Sequence, residues 1–231
     1  MTFQFRPALT AATIAALAVL CSLGAWQAQR LEWKRALIAK TEARLAAAPI
    51  PFEAALARAE AGEDLEYQPV FAVGEFRKEE SARVFSAHEG KAGALIFAPF
   101  DAAGRTIYVN RGFVPQTHAQ AIQAASGETR IEGLFRRAEE KKGFERTFAA
   151  KDQPTDNLYF TRDPRIFAAA QGLSVPPYYI DSFSREGEGP WPKGGLTRVE
   201  FANRHLEYAL TWFGLAGALI GVYLAFSLRR G

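Results

Sequence analysis

The chain of 231 residues carries 28 Lys and Arg against 25 Asp and Glu, a net charge of +3, with 48% hydrophobic and 23% charged residues. That balance excludes a disordered chain, and the lack of a basic stripe interleaved with aromatics argues against a nucleic-acid binder. With Cys21 the only cysteine and Met1 the only methionine, the middle of the chain can form no disulfide, Cys-ligated metal site, Fe–S cluster or Met-ligated copper site, and no C-x-x-C-H haem attachment is present.

From the amino end, Ala8 to Trp26 ("ALTAATIAALAVLCSLGAW") is free of charge. As a helix, roughly 19 residues reach about 28 Å, enough to cross a hydrocarbon core. Pro7 suits a first helical turn. Leu31, Ile38 and Leu45 then recur at every seventh residue. This predicts a membrane helix over 7–28 that continues as an amphipathic juxtamembrane helix to about residue 48, just before Pro49. An uncleaved anchor is expected rather than a signal peptide: the run is long for an h-region, and no Ala-x-Ala site leads into a clear mature start. Leu20 also stands where a lipoprotein signal needs a small residue before Cys21.

Residues 49–202 read as one β-rich extramembrane domain. "PFEAALARAEAG" (Pro51–Gly62) predicts a short helix with Pro at its start and Gly at its end. Alternating or apolar β-formers predict strands near Gln68–Phe76, Ala82–Ala87, Ala94–Pro99, Thr106–Val114, Arg130–Ala138, Asn157–Thr161 and Pro177–Asp181. Asp101–Gly104 ("DAAG") reads as a four-residue hairpin loop. "DPRIFAAAQGL" predicts a short helix with Asp163 as N-cap, Pro164 at its first position and Gly172 after its end. There is no internal repeat and no low-complexity segment.

The second charge-free run, Tyr208–Phe226 ("YALTWFGLAGALIGVYLAF"), predicts a second span over 203–228. Gly217 and Gly221 form a GxxxG pair, with Gly214 and Ala218 nearby. Such small residues let another helix approach, the first span being the natural partner, although Gly is also simply frequent in membrane helices. Two spans put both termini on one side. Arg30, Lys34, Arg35, Lys40, Lys193, Arg198 and Arg204 on the loop outnumber Arg6, Arg229 and Arg230 on the tails, which taken literally places the loop in the cytoplasm. The rule is weak for so long a loop, so charge leaves the orientation open.

Catalytic signatures are missing: no G-x-S-x-G, P-loop or G-x-G-x-x-G occurs, and the chain does not read as an enzyme. His88 and His118 read as surface histidines in polar loops, and Ala138–Lys142 ("AEEKK") as a solvated charged turn. His205 differs, because it stands at the loop-side end of the second span. An ionisable side chain there is a functional candidate, and His is the usual axial ligand of haem iron. At about 100° per residue His205 and Trp212 nearly eclipse, with Tyr208 beside them. One stripe thus carries an imidazole, a phenol and an indole that could ligate and stack a porphyrin. Tyr and Trp are also common at membrane interfaces, where His can simply be solvated.

At these residues the chain resembles the Surf1/Shy1 cytochrome oxidase assembly family. "LGAWQAQRLEWKRALI" (Leu23–Ile38) is similar to the family's exit from its first membrane helix, and "VFAVGEF" (Val70–Phe76) to its Gly-x-Phe strand. "GRTIYVNRGFVP" (Gly104–Pro115) resembles its Val-Asn-Arg-Gly-Trp-Val-Pro strand, with Phe113 in place of Trp. "NLYFTRDPRIFAAAQGL" (Asn157–Leu173) resembles its Trp-x-x-Arg-Asp motif, with Tyr159 where Trp is common. "NRHLEYALTWFGLA" (Asn203–Ala216) resembles its Asn-x-His-Leu-Gln-Tyr-Ala-x-Thr-Trp-Phe signature, with Glu207 for Gln, which adds a negative charge at that place.

The resemblance implies an α+β membrane protein whose N- and C-terminal transmembrane helices flank an antiparallel β-rich soluble domain with a few helices. It implies a bacterial cytoplasmic (inner) membrane location, since no Arg-rich, Ser-rich transit peptide is present, with the domain periplasmic and both termini cytoplasmic. It implies an assembly factor that transiently holds haem a and assists its insertion into subunit I of cytochrome c oxidase. His205 would be the axial ligand, with Tyr208 and Trp212 as possible haem contacts and no other metal. Oxidase subunit I, assembly intermediates, membrane lipid and possibly the haem a synthesis machinery are the implied partners. The alternative is a cofactor-free scaffold that binds oxidase subunits, with His205 merely interfacial and Arg111 pairing inside the domain. A two-span sensor is a third class, disfavoured because few residues flank the spans.

Overall fold

The computed structural model describes residues 2–3, 5–77, 81–118, 127–140, 143, 149–183, 191–196 and 203–229. Lys141 and Lys142 of the charged turn, and Arg198 and Arg230 of the charge count, lie outside them. In chain order the elements are β1 (Thr2–Phe3), α1 (Pro7–Leu45), β2 (Ile50–Pro51), α2 (Phe52–Glu60), β3 (Pro69–Phe76), β4 (Ala82–His88), β5 (Lys91–Ala102), β6 (Arg105–Pro115), β7 (Thr129–Arg137), β8 (Leu158–Tyr159), α3 (Pro164–Ala170), β9 (Tyr178–Ser182), α4 (His205–Ser227) and β10 (Leu228–Arg229). They fall into two compact units, the two chain ends (Met1–Glu42 with Glu200–Gly231) and the middle (Ala43–Val199). This is the α+β class with a candidate membrane span at each end, α1 and α4 both being long and apolar enough to cross a bilayer.

In the middle unit the strand order is β2-β3-β7-β9-β6-β5-β4-β8, with β3 also pairing β5. That extra pairing, Gly74↔Ala102 to Phe76↔Phe100, closes β3, β7, β9, β6 and β5 into a five-stranded barrel. β5 makes this possible by changing partners along its length. Its first half pairs with β4, its register against β6 shifts between Leu95 and Phe97, and its last residues reach β3. A bulge bends and twists a strand in this way.

Both faces of β5, β6 and β9 are covered, which explains their long runs of buried residues, whereas β3 and β7 alternate with exposed ones. The inner set includes Val70, Ala72, Phe100, Ile107, Val109, Ile131, Phe135 and Ile180, with Phe52, Ala55 and Leu56 of α2 packed against them. Phe52 is 1% exposed, a burial that stabilises by roughly 2 kcal/mol. The alternate residues Phe97, Tyr108 and Tyr179 point outward and pack with Phe167 and Ala168 of α3. Asp163 caps α3 by accepting the Arg165 N–H at 2.9 Å, with Pro164 as its first residue.

Among the described residues five of the eight pairings in this sheet are antiparallel, as expected, and three are not. β2–β3, β4–β8 and β6–β9 are parallel, because these strands meet across longer connections, whose direction no hairpin dictates. The expected four-residue loop at Asp101–Gly104 is tighter. Asp101↔Thr106 and Ala102↔Arg105 stay paired, and only Ala103 and Gly104 turn, with φ of 48° and 76°, the two-residue geometry that matches strand twist. Glu89 and Gly90 make a second such turn, so His88 ends a strand rather than lying in a loop. The strand expected over Asn157–Thr161 shortens to Leu158–Tyr159.

In the end unit α1 runs 39 residues, about 58 Å, so its charged second half extends well past any hydrocarbon core. α1 and α4 pack antiparallel along a seam in which the less exposed residues recur at three- and four-residue spacing. On α1 these are Thr10, Thr13, Leu20, Gly24, Gln27 and Leu31, and on α4 His205, Ala209, Trp212, Ala216, Leu219 and Tyr223. This is the spacing of two helices interlocking at a small crossing angle. At one end the Thr10 Oγ1 and Tyr223 hydroxyl hydrogen-bond at 2.8 Å, and β1 pairs with β10. Midway, Gly24 makes room for the Phe213 ring, which a Cβ there would meet at 2.8 Å. Gly214, Gly217 and Gly221 take no part, since a Cβ on any of them would meet nothing within 4 Å. About 100° per residue carries them 100–160° round the helix from Ala216, so the GxxxG pair faces away from α1, and close approach is provided by Ala209, Ala216 and Gly24 instead.

Candidate functional site

At the other end of the seam, where the chain leaves the helical pair for the β domain, His205 Nδ1 lies 2.7 Å from Gln27 Oε1. Each polar group explains the other's position. Gln27 is 9% exposed between Gly24 and Leu31 on the seam, where a bare amide would cost about 1–3 kcal/mol. His205 is the first residue of α4, so one helical start fixes both its backbone and the direction of its ring. With the Gln27 carbonyl accepting, Nδ1 carries the proton and Nε2 presents its lone pair, the tautomer that binds a metal. Counting about 1.5 Å per residue, the Thr10–Tyr223 and Gln27–His205 hydrogen bonds stand about 26 Å apart, close to the thickness of a hydrocarbon core.

The structure places the other candidates around this imidazole. Trp212 is two turns further along on the same seam and half-buried. Tyr208 lies off the seam and is 51% exposed. Glu207, the extra negative charge in the signature, accepts a hydrogen bond from Arg204 Nε at 3.1 Å, so it is locally neutralised. Asn203 Oδ1, two residues before His205, is buried with no hydrogen-bond partner. A half-buried imidazole with one nitrogen fixed and aromatic neighbours fits haem as a single axial ligand. Gln27 was overlooked in the sequence, where it merely ended the apolar run. Its signal was a polar residue in register with Leu20, Gly24 and Leu31.

The remaining singled-out residues lie in the β domain. His88 is half-buried, its Nε2 3.5 Å from Glu89 Oε1 and its ring 5.6 Å from Phe113. His118 is exposed and hydrogen-bonded to Thr117 Oγ1 at 2.9 Å. Among the described residues no group of three or more His, Cys, Asp or Glu is placed to hold a metal ion. Arg111 points into the barrel, 2% exposed, its guanidinium 5.0 Å from the Phe76 ring centre.

Fold and site together define a class: a small β-barrel domain between two helices long and apolar enough to cross a membrane, whose seam ends in a fixed histidine. The SURF1 family model matches residues 14–217, and the chain belongs to that family. It is 33% identical to the "Surfeit locus protein 1" of Rattus norvegicus, covering 90% of this chain and 72% of that protein. Against the Homo sapiens protein of the same name it is 33% identical, with coverages of 85% and 70%. A "SURF1-like protein" of Monosiga brevicollis is 32% identical over 92% of this chain and 85% of its own length.

Proposed function

We propose that this chain is a non-enzymatic assembly factor for haem-copper cytochrome c oxidase. It holds haem a at the outer surface of a bacterial inner membrane and passes it to subunit I. The observation that carries this reading is the Gln27–His205 hydrogen bond at the membrane boundary. It leaves an imidazole nitrogen oriented and unengaged among the described residues. Haem supplies an iron that accepts such a nitrogen and a flat apolar face that prefers a membrane surface. His205 would ligate the iron, Gln27 would fix the ring, and Tyr208 and Trp212 would flank the macrocycle. One strong protein ligand suits a carrier, which must also release what it holds. In this reading the domain is periplasmic, the termini are cytoplasmic, and the partners are subunit I, assembly intermediates and the enzymes that make haem a.

The test is the absorption spectrum of detergent-purified protein from cells that make haem a. Wild type should carry haem bands, and His205→Ala should lose at least nine-tenths of them while keeping its β-domain circular dichroism. Gln27→Leu fills the seam but frees Nδ1. It should weaken haem retention about 10–100-fold, the usual cost of removing the partner of a ligating histidine, as read from transfer to apomyoglobin. Unchanged haem in His205→Ala removes the ligand assignment. No haem in any of the three, in a strain whose deletion still lacks oxidase, favours the scaffold alternative.

A further inference from the structure

The β domain holds an open cleft of about 590 Å³ that the proposed haem role does not use. It lies beside the β7–β9 pair, where the register sets Arg136 opposite Tyr179. Its charged groups can be assigned one by one. Arg136 donates from Nε to Glu66 at 2.7 Å and from Nη1 to Asp181 at 3.3 Å. Glu66 also accepts the Arg137 backbone N–H at 2.9 Å, and the Arg137 guanidinium donates to the Tyr178 hydroxyl at 3.1 Å. Glu63 is paired with Arg58 and Asp64 with Arg44. Glu139 accepts the Arg162 backbone N–H at 3.2 Å.

Two lining groups remain. Among the described residues neither the Arg162 guanidinium nor the Tyr179 hydroxyl has a hydrogen-bond or ion-pair partner. Tyr179 is 2% exposed, yet its hydroxyl is not one of the sealed-off unpartnered atoms, so it opens into the cleft, where a bound group can replace water as its partner. Burial raises the Tyr179 pKa well above that of an ordinary phenol, against the lowering pull of Arg136 and Arg162. The hydroxyl therefore stays a neutral donor. Arg136 is no rival cation. Burial alone would lower its pKa, but the Glu66 and Asp181 carboxylates raise it, and it stays charged and matched by both.

We infer that this cleft binds the carboxylate of a small organic acid, gripped by Arg162 and the Tyr179 hydroxyl, with the apolar body of the acid against Leu65 and Ala138. Arg162 with one neutral donor suits a monoanion, since the other cation without a carboxylate, Arg137, is already engaged by the Tyr178 hydroxyl. A phosphate dianion would need a second free cation and would face the Glu139 carboxylate. Arg162 and Arg136 also line a smaller cleft of about 380 Å³ on their other side, with Asp181, Asn110 and His88. Tyr179 does not line it, so the second donor of the grip belongs to the larger cleft.

The probe is benzoate, carboxyl-labelled with carbon-13 and titrated by NMR into the full-length protein in detergent, with benzamide as the neutral control. Wild type should show saturable binding in the millimolar range, Arg162→Gln at least ten-fold weaker binding, and Tyr179→Phe several-fold weaker binding. Neither substitution removes a pairing within the domain, so both should melt like wild type. If Arg162→Gln does not fold, Tyr179→Phe decides alone. No saturable benzoate binding, equal binding by wild type and a folded variant, benzamide binding as tightly as benzoate, or inorganic phosphate displacing benzoate at lower concentration than benzoate itself would each overturn the inference.

Discussion

Gly112→Ala is expected to cost the β domain its fold. Gly112 has a φ of +114°, which an L side chain adopts only with about 1–3 kcal/mol of strain. A Cβ there would also fall on the backbone of Lys193 and Gly194. That backbone cannot swing aside as a flexible side chain would, because Phe113 and Lys193 exchange both of their backbone hydrogen bonds, at 3.0 and 2.9 Å. Nor can β6 move, since Phe113 is 1% exposed and the Gly112 N–H is held by Asn110 Oδ1 at 3.1 Å. Forcing extra volume into such a site costs a further 1–3 kcal/mol or so. The sum is a large part of the roughly 5–15 kcal/mol that holds a domain together. Thermal melts in detergent should show the transition lowered by about 10 °C or more, or absent, with rapid proteolysis of the middle of the chain. A wild-type melt would mean that the segment after Trp191 is not packed on β6 as described.

The next largest effect belongs to Asp181. Its side chain is 8% exposed and meets Arg136, itself 14% exposed, at 3.3 Å. Its other oxygen accepts Asn110 Nδ2 at 2.8 Å, and Asn110 in turn holds the Gly112 N–H. Asp181→Ala leaves a buried guanidinium half-neutralised and a buried amide without its acceptor, and breaking a buried pair from one side costs about 3–5 kcal/mol. Asp181→Asn keeps an acceptor for Asn110 and loses only charge, so it should fall between alanine and wild type. The midpoint of urea unfolding, followed by tryptophan fluorescence, measures both. A loss below about 1 kcal/mol for alanine would show that water reaches Arg136 and replaces the carboxylate.

The Asn110–Asp181–Arg136–Glu66 chain also shows why part of this molecule was unreadable beforehand. Asn110, Arg136 and Asp181 look like ordinary residues of alternating strands and Glu66 like an exposed residue of a turn. Asn110 and Asp181 are 71 positions apart, and Arg136 and Glu66 are 70. Only the β6–β9 and β7–β9 registers turn them to one face. The same holds for Tyr179 and Arg162, whose lack of side-chain partners among the described residues is visible only after every neighbour has been paired. The two spans were legible because a bilayer demands a charge-free run wherever it is crossed, and α3 because Asp163 and Pro164 act within one helical turn.

The amino-acid sequence by itself determined the family, the two apolar helices, most of the strands and the candidate imidazole His205, because each is a local pattern of charge, period or cap. The tertiary structure alone decided three things. It closed the barrel through β3 and β5, it turned Gly217 and Gly221 away from α1, and it brought Gln27 to His205 across 178 residues. Sequence patterns carry no information about register between distant segments. That is set by which buried faces fit and which buried polar groups must find one another.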